Sequence, residues 1–220
     1  MQRYDLSIDS VFFDDPQILE QDSATIKVAI RNSGIEQTDE YKVLINLFDT
    51  DSLSELFYQD EIENTKPIQS ESVDTIGFQV AGFPGGVHYY NVNVMSDRDQ
   101  AIENNGLSGH IEVGYQESAV VINEIMYDPA TGEAEWIELF NTTNKPVNLQ
   151  KWQFKDATDN RHNIVDSVFK LNAQDFAILA SNSEFYQSYP EYDRNIIIPE
   201  SFPSLNNTSE SLFIFDAVNH

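Results

Sequence analysis

The sequence contains no cysteine. Disulfides, thiol chemistry and every zinc site built on Cys ligands are thereby excluded. The compartment stays open on this count, because many exported proteins also lack Cys. Positive charge is scarce as well. Twelve Lys and Arg stand against 37 Asp and Glu among 220 residues, a net charge of −25 at pH 7. Nucleic acid is a poor partner for such a chain, since phosphate binding needs clustered positive charge. Docking on anionic lipid is disfavoured for the same reason. No apolar run approaches the roughly 18 residues of a membrane span. The opening Met1-Gln2-Arg3-Tyr4-Asp5 has no apolar h-region, so no signal peptide is read there. That fits a cytosolic protein, or a segment of a longer exported protein with Met1 added as its start.

Hydrophobic residues make up 40% and aromatics 12%, which separates this chain from disordered acidic sequences poor in aromatics. Helical periodicity is rare and period-2 alternation dominates. Ile26, Val28 and Ile30 alternate with Thr25, Lys27, Ala29 and Arg31, one buried and one wet face of a strand. Tyr90, Val92 and Val94 alternate with Tyr89, Asn91 and Asn93 in the same way. Tyr41 to Phe48 is apolar on both faces, as in a central strand. Leu6–Phe13, Leu53–Tyr58, Ser72–Val80 and Gly109–Tyr115 complete about seven strands, separated by clusters such as Asn32-Ser33-Gly34 and Phe83-Pro84-Gly85-Gly86. This density predicts an immunoglobulin-like sandwich.

A polar stretch, Gln116-Glu117-Ser118, precedes a second series of strands: Val120–Tyr127, Trp136–Asn141, Trp152–Lys155, Phe176–Ala180, Ile196–Ile198 and Leu212–Phe215. Ser183–Tyr189 reads as a helical turn. The boundary falls near residue 116, giving domains 1–115 and 116–220 with net charges of −15 and −10. The predicted fold class is all-β, two tandem immunoglobulin-like β-sandwich domains.

Three ordered blocks in the second half carry a family likeness. They are Val120-Val121-Ile122-Asn123-Glu124-Ile125-Met126-Tyr127-Asp128-Pro129, then Glu135-Trp136-Ile137-Glu138-Leu139-Phe140-Asn141, then Val147-Asn148-Leu149 with Trp152. Residues 119–216 resemble the lamin-tail domain of bacterial proteins. The resemblance implies an immunoglobulin-like sandwich without activity of its own, in an exported or surface protein. The family usually continues past Leu212–Asp216 into a final strand, so the resemblance implies a shortened domain with an unpaired sheet edge, covered by the other domain or by a second molecule. In the first half, Asp5-Leu6-Ser7-Ile8, Asn32-Ser33-Gly34, Gly86-Val87-His88-Tyr89-Tyr90 and Asp97–Gly106 are similar to the adhesion-related CARDB module, also a seven-stranded sandwich.

The candidate chemistry is sparse. Asp97, Asp99, Glu103 and Asn105 offer oxygens within one loop, and calcium takes 6–8 of them. The competing reading is a connection whose side chains cap its own turns. Calcium is the only cofactor considered. Asp49-Thr50-Asp51 and Asp156–Asn160 read as solvated turns. Glu124 and Glu138 fit an acid–base pair for glycoside cleavage, or structural carboxylates held by backbone or Trp N–H groups. His88, His110, His162 and His220 form no metal motif, and His88 reads as packed or at an edge. Ser108 lacks the context of a nucleophile elbow and reads as loop. Trp136, Trp152, Tyr186, Tyr189 and Tyr192 are candidates for a carbohydrate platform, with at least one Trp expected in the core and Phe185–Tyr192 as the exposed patch. Asn141-Thr142-Thr143 and Asn206-Asn207-Thr208 fit a glycosylation pattern that reads as turns in a bacterial chain.

No catalytic, cofactor-binding or metal residue follows. The expectation is a non-catalytic spacer or adhesion segment of a larger extracellular or cell-surface protein, partnered by other domains of that protein or by surface components. The alternative is a module for calcium or surface polysaccharide that targets an attached enzyme such as a hydrolase or nuclease.

Overall fold

A computed structural model describes residues 2–15, 17–49, 55–158, 160–206 and 211–220. Thr50, Asp51, Leu53, Asp159, Asn207 and Thr208, which figure in the readings above, lie outside them. The chain is all β and divides into two compact units, Met1–Val113 and Gly114–His220.

The described residues of the first unit form seven strands: β1 (Leu6–Phe13), β2 (Ser23–Asn32), β3 (Tyr41–Phe48), β4 (Leu56–Asn64), β5 (Val73–Ala81), β6 (Gly86–Met95) and β7 (Gly106–Val113). One sheet runs β1-β2-β5 and the other β4-β3-β6-β7. Alternation places Ile26, Val28 and Ile30 of β2 in one core with Val43, Ile45 and Leu47 of β3 and Val92 and Val94 of β6. β3 is central, between β4 and β6. β4 continues to Asn64, through the polar Gln59-Asp60-Glu61 that ends the run of strand-like sequence. As an edge strand it has one side toward solvent, so polar residues suit it. β7 begins at Gly106 and not Gly109, which puts Ser108 in a strand. Its Oγ accepts from Asn91 Nδ2 at 2.9 Å.

The second unit holds β8 (Val120–Met126), β9 (Trp136–Asn141), β10 (Val147–Asn148), β11 (Gln153–Lys155), β12 (His162–Asn163), β13 (Lys170–Leu171), β14 (Phe176–Ala180), the helical turn α1 (Phe185–Ser188), β15 (Ile196–Ile197) and β16 (Phe213–Phe215). The sheets are β15-β14-β9-β8 and β12-β11-β16, with the small pair β10-β13. Ile137 and Leu139 of β9 face a core with Leu149, Trp152, Phe154, Leu171 and Leu179. The opposite face of β9 starts a smaller cluster, where Trp136 packs with Ile178, Ala180 and Phe185.

The two units use one device at a strand end. Asn32 closes β2 and Asn141 closes β9, and both are fully buried. Asn32 Nδ2 donates to the carbonyls of Glu36 and Ile68, while its Oδ1 accepts from Gly34 N at 3.0 Å. A Cβ at Gly34 would stand 2.8 Å from the Arg3 carbonyl, so the turn closes on the N-terminal segment only with glycine. Asn141 Nδ2 donates to the carbonyls of Lys145, Leu171 and Asn172, and its Oδ1 accepts from Thr143. Asn141 is therefore a buried corner of the unit, more than a surface turn residue. Among the described residues no helix is long and apolar enough to cross a membrane.

Candidate functional site

The acidic loop after β6 works as a clasp on the start of the chain. Asp99 Oδ2 accepts from Leu6 N at 3.0 Å and its Oδ1 from Ala101 N at 2.8 Å. Gln100 Oε1 accepts from Arg3 N at 2.8 Å, and Gln100 N donates to the Tyr4 carbonyl. Asn104 Nδ2 donates to Asp5 Oδ1 at 2.9 Å. Arg98 pairs with Asp39 at 2.8 Å and lies over the Tyr4 ring. The four oxygen donors of the sequence therefore diverge. Asp99 turns to β1, Glu103 is exposed in the 3-10 turn Ile102–Asn104, and Asp97 and Asn105 line a cavity of about 590 Å³ with Glu40, Lys42 and Glu63. Among the described residues no three His, Asp or Glu side chains stand together so as to hold a metal ion.

The second candidate is the outer face of β8, β9 and β14. Glu124 and Glu138 are cross-strand partners, with a bulge between Ile122 and Glu124. Paired residues share a face, so both carboxylates lie on the same side of the sheet. Glu138 is 9% exposed and accepts from Asn123 Nδ2 at 2.7 Å. Its holder is thus the bulge residue and not a Trp. Both indole Nε1 atoms, of Trp136 and Trp152, are buried and have no acceptor among the described residues. Glu138 also lines a cavity of about 310 Å³ with Asp175, Phe176, Tyr192 and Arg194. Asp175 is held below the usual carboxylate range by the amide of Phe176, with further help from Asn195 and the Arg194 charge.

The aromatic candidates divide by burial. Trp136 and Trp152 are both core residues. Phe185 is buried too, in edge-to-face contact with Trp136 and stacked on Tyr189 at 4.9 Å. Only Tyr186 and Tyr192 stay open, 46% and 44% exposed, so the exposed patch is smaller than Phe185–Tyr192.

Two polar groups carry structure that the sequence reading did not assign. Asp156, read as solvated, is buried. Thr158 donates to its Oδ1 from both backbone and hydroxyl, and the hydroxyl bond leads in lowering its pKa. Asp216 accepts from Tyr115 N, Val218 N and His220 N, at 2.8, 3.0 and 2.8 Å. His88 is wholly buried, with Nε2 at 2.8 Å from the Pro84 carbonyl and Nδ1 at 3.4 Å from Asp49. Burial pushes its pKa down, against the Pro84 bond and the Asp49 charge. His162 Nδ1 stands 2.8 Å from Ser201 Oγ, and its ring lies against Phe154.

Residues 114–216 match the family model described as Lamin Tail Domain. Among solved structures, the chain is similar to a CARDB domain from Pyrococcus furiosus, described as a complex with di-metal ions, at 13% identity and a TM-score of 0.41, over 53% of this chain and 98% of that one. It is similar to a Paenibacillus cycloisomaltooligosaccharide glucanotransferase at 12% identity and a TM-score of 0.40, over 53% of this chain and 15% of the enzyme. Red sea bream transglutaminase matches at 7% identity and a TM-score of 0.39, over 98% of this chain and 29% of that one. Structural likenesses this distant assign no role. A comparison with curated proteins found no match. Both family likenesses read from the sequence thus recur, one in the family model and one in the solved structures.

Proposed function

We propose, from the premise that residues 114–216 are a lamin tail domain, that this chain is a non-catalytic structural or adhesion segment of a larger exported or cell-surface bacterial protein. The supporting observation is the use made of its carboxylates. Asp99 holds the amides of Leu6 and Ala101, and Asp216 those of Tyr115, Val218 and His220. Asp99, which the sequence offers for chemistry, serves the scaffold instead. Its partners are other domains of the parent protein or cell-surface components. The strong negative charge keeps such a segment soluble and apart from its neighbours. The test is a panel of glycosides and phosphodiesters assayed beside a Glu138→Gln control. Equal, background-level rates are expected, and turnover abolished in Glu138→Gln would overturn the proposal.

A second reading is favoured by one observation. Tyr192 is open to solvent and lines the cavity that Glu138, Asp175 and Phe176 share. An aromatic face beside carboxylates suits a sugar ring. On this reading the chain is a polysaccharide-binding module that targets an attached enzyme domain. Binding on a glycan array that Tyr192→Ala removes would support it, and silence from a folded sample would dismiss it.

A further inference from the structure

The outer face of the β4-β3-β6-β7 sheet carries a row of polar side chains. Gln59 of β4, Asn46 of β3, Asn91 of β6 and Ser108 of β7 are successive cross-strand partners, so they form one rung across all four strands. None of the four is buried. Gln59 Nε2 donates to Asn46 Oδ1 at 2.7 Å, and Asn91 Nδ2 to Ser108 Oγ at 2.9 Å. Asn93 Nδ2 donates to Asn91 Oδ1 and ties the next rung to this one. Opposite Asn93 stands Gly106, where a Cβ would come within 2.9 Å of Asn93 Oδ1, so glycine leaves room for the amide. Such a rung holds donors and acceptors in fixed directions on an open surface, which suits the neighbouring hydroxyls of a sugar.

The two sides of the rung differ in chemistry. On one side Tyr89 is 38% exposed and offers an aromatic face against which a sugar ring can lie. On the other is the cavity of about 590 Å³ that Asn93 lines with Glu40, Glu63, Asp97 and Asn105. Three carboxylates stand there against one cation, Lys42, which is already shared between Glu61 at 3.2 Å and Glu63 at 3.7 Å. Asn105 is 9% exposed, and its Oδ1 is buried with no donor among the described residues. Buried acceptors are nearly always paired, so this one calls for a donor that arrives with a ligand. Water would satisfy the oxygen and leave the surplus of negative charge uncompensated, whereas an ammonium group does both. A metal ion needs its oxygens gathered around one point, and among the described residues the carboxylates are not so gathered.

We propose that this face binds a polysaccharide of amino sugars carrying free ammonium groups. A ring lies on Tyr89, hydroxyls meet the polar rung, and an ammonium enters the cavity and donates to Asn105 Oδ1. Tyr89 and Met95, which lines the cavity, are six residues apart on β6, a span of about 20 Å that calls for several linked rings. The site lies within the first unit and rests on neither reading of the carboxylates and Tyr192 above.

The test is calorimetry on the full chain at about pH 6, where such an amine is charged. The probe is a short chitosan oligomer, whose glucosamine rings carry free amines. One control is the fully N-acetylated oligomer of the same length, which keeps the rings and hydroxyls and loses the charge. The other is spermine, which keeps charge and has no hydroxyl. The chitosan oligomer is expected to bind at least about tenfold more tightly than either. Glu63→Gln, Asp97→Asn and Tyr89→Ala, all at exposed positions, are each expected to weaken it by about tenfold, with dichroism showing each variant folded. Glu200→Gln, exposed in the second unit, removes the same charge as Glu63→Gln and is expected to leave the affinity in place. Equal binding of spermine would reduce the effect to charge, and equal binding of the acetylated oligomer would remove the ammonium; either overturns the proposal. So would silence from the chitosan oligomer, or binding that Tyr192→Ala removes and Tyr89→Ala does not.

Discussion

Tyr115 and Asp216 are 101 positions apart in the chain and joined by a buried hydrogen bond of 2.8 Å, from the Tyr115 amide to Asp216 Oδ2. The Tyr115 hydroxyl in turn accepts from Asn148 N at 2.9 Å, and its ring lies 5.6 Å from that of Trp152. The first and last stretches of the second unit are thus tied to one aromatic cluster. Asp216 is 3% exposed and takes three backbone amides. Asp216→Ala leaves the buried Tyr115 donor unpaired, and a loss of about 2–4 kcal/mol is expected. Both Trp lie in this unit, so Trp fluorescence in a urea titration reads its unfolding. An unchanged midpoint would show that the tie does not hold the unit.

The paired corner asparagines give a second expectation. Asn32→Ala removes two donated bonds and one accepted bond from a fully buried site in the first unit. Asn141→Ala does the same or more in the second. Each is expected to cost its own unit about 2–4 kcal/mol. Circular dichroism reports both units and Trp fluorescence only the second. Asn32→Ala should therefore lower a transition seen by dichroism and leave the fluorescence midpoint in place.

Architecture was legible because alternation is a local signal. Ile26, Val28 and Ile30 announce a buried face wherever β2 pairs, and the strand count and all-β class follow. The limits of the reading are equally physical. Asp99 and Asp216 act on amides far away in the chain, at Leu6 and Tyr115, and no local pattern shows a long-range acceptor. Asp156 reads as a surface turn because burial depends on what packs over it. β4 runs past Tyr58 because the polarity of Gln59–Glu61 marks a strand end only in an interior strand, and β4 is at an edge. The rung of Gln59, Asn46, Asn91 and Ser108 joins four strands, a relation that belongs to the fold alone.

His88 predicts a pH dependence of the first unit. Its folded pKa lies below the ordinary value, chiefly through burial. A His with a depressed folded pKa binds its proton more readily when unfolded. The neutral ring therefore supports the fold fully above about pH 6.5, and that support falls as pH drops from there toward the folded pKa. The urea midpoint by dichroism should decline below about pH 6.5, before most carboxylates titrate. His88→Gln should flatten the decline. A wild-type midpoint level down to about pH 5 would contradict this.

Calcium is the remaining expectation for the acidic loop, and Asp99 separates it from a structural role. Both Asp99 oxygens are occupied by the amides of Leu6 and Ala101. Each oxygen keeps a second lone pair; what disfavours calcium is that Asp97 and Glu103 do not converge with Asp99 among the described residues. Melts in calcium, magnesium and chelator at matched ionic strength are therefore expected to coincide. Asp99→Ala should lower all three together, by several degrees for a loss of about 1–2 kcal/mol. A ligand that binds only the folded state stabilises it by mass action. A calcium-specific rise that Asp97→Asn removes would consequently assign the loop to a cation and shift the reading of the chain toward a binding module.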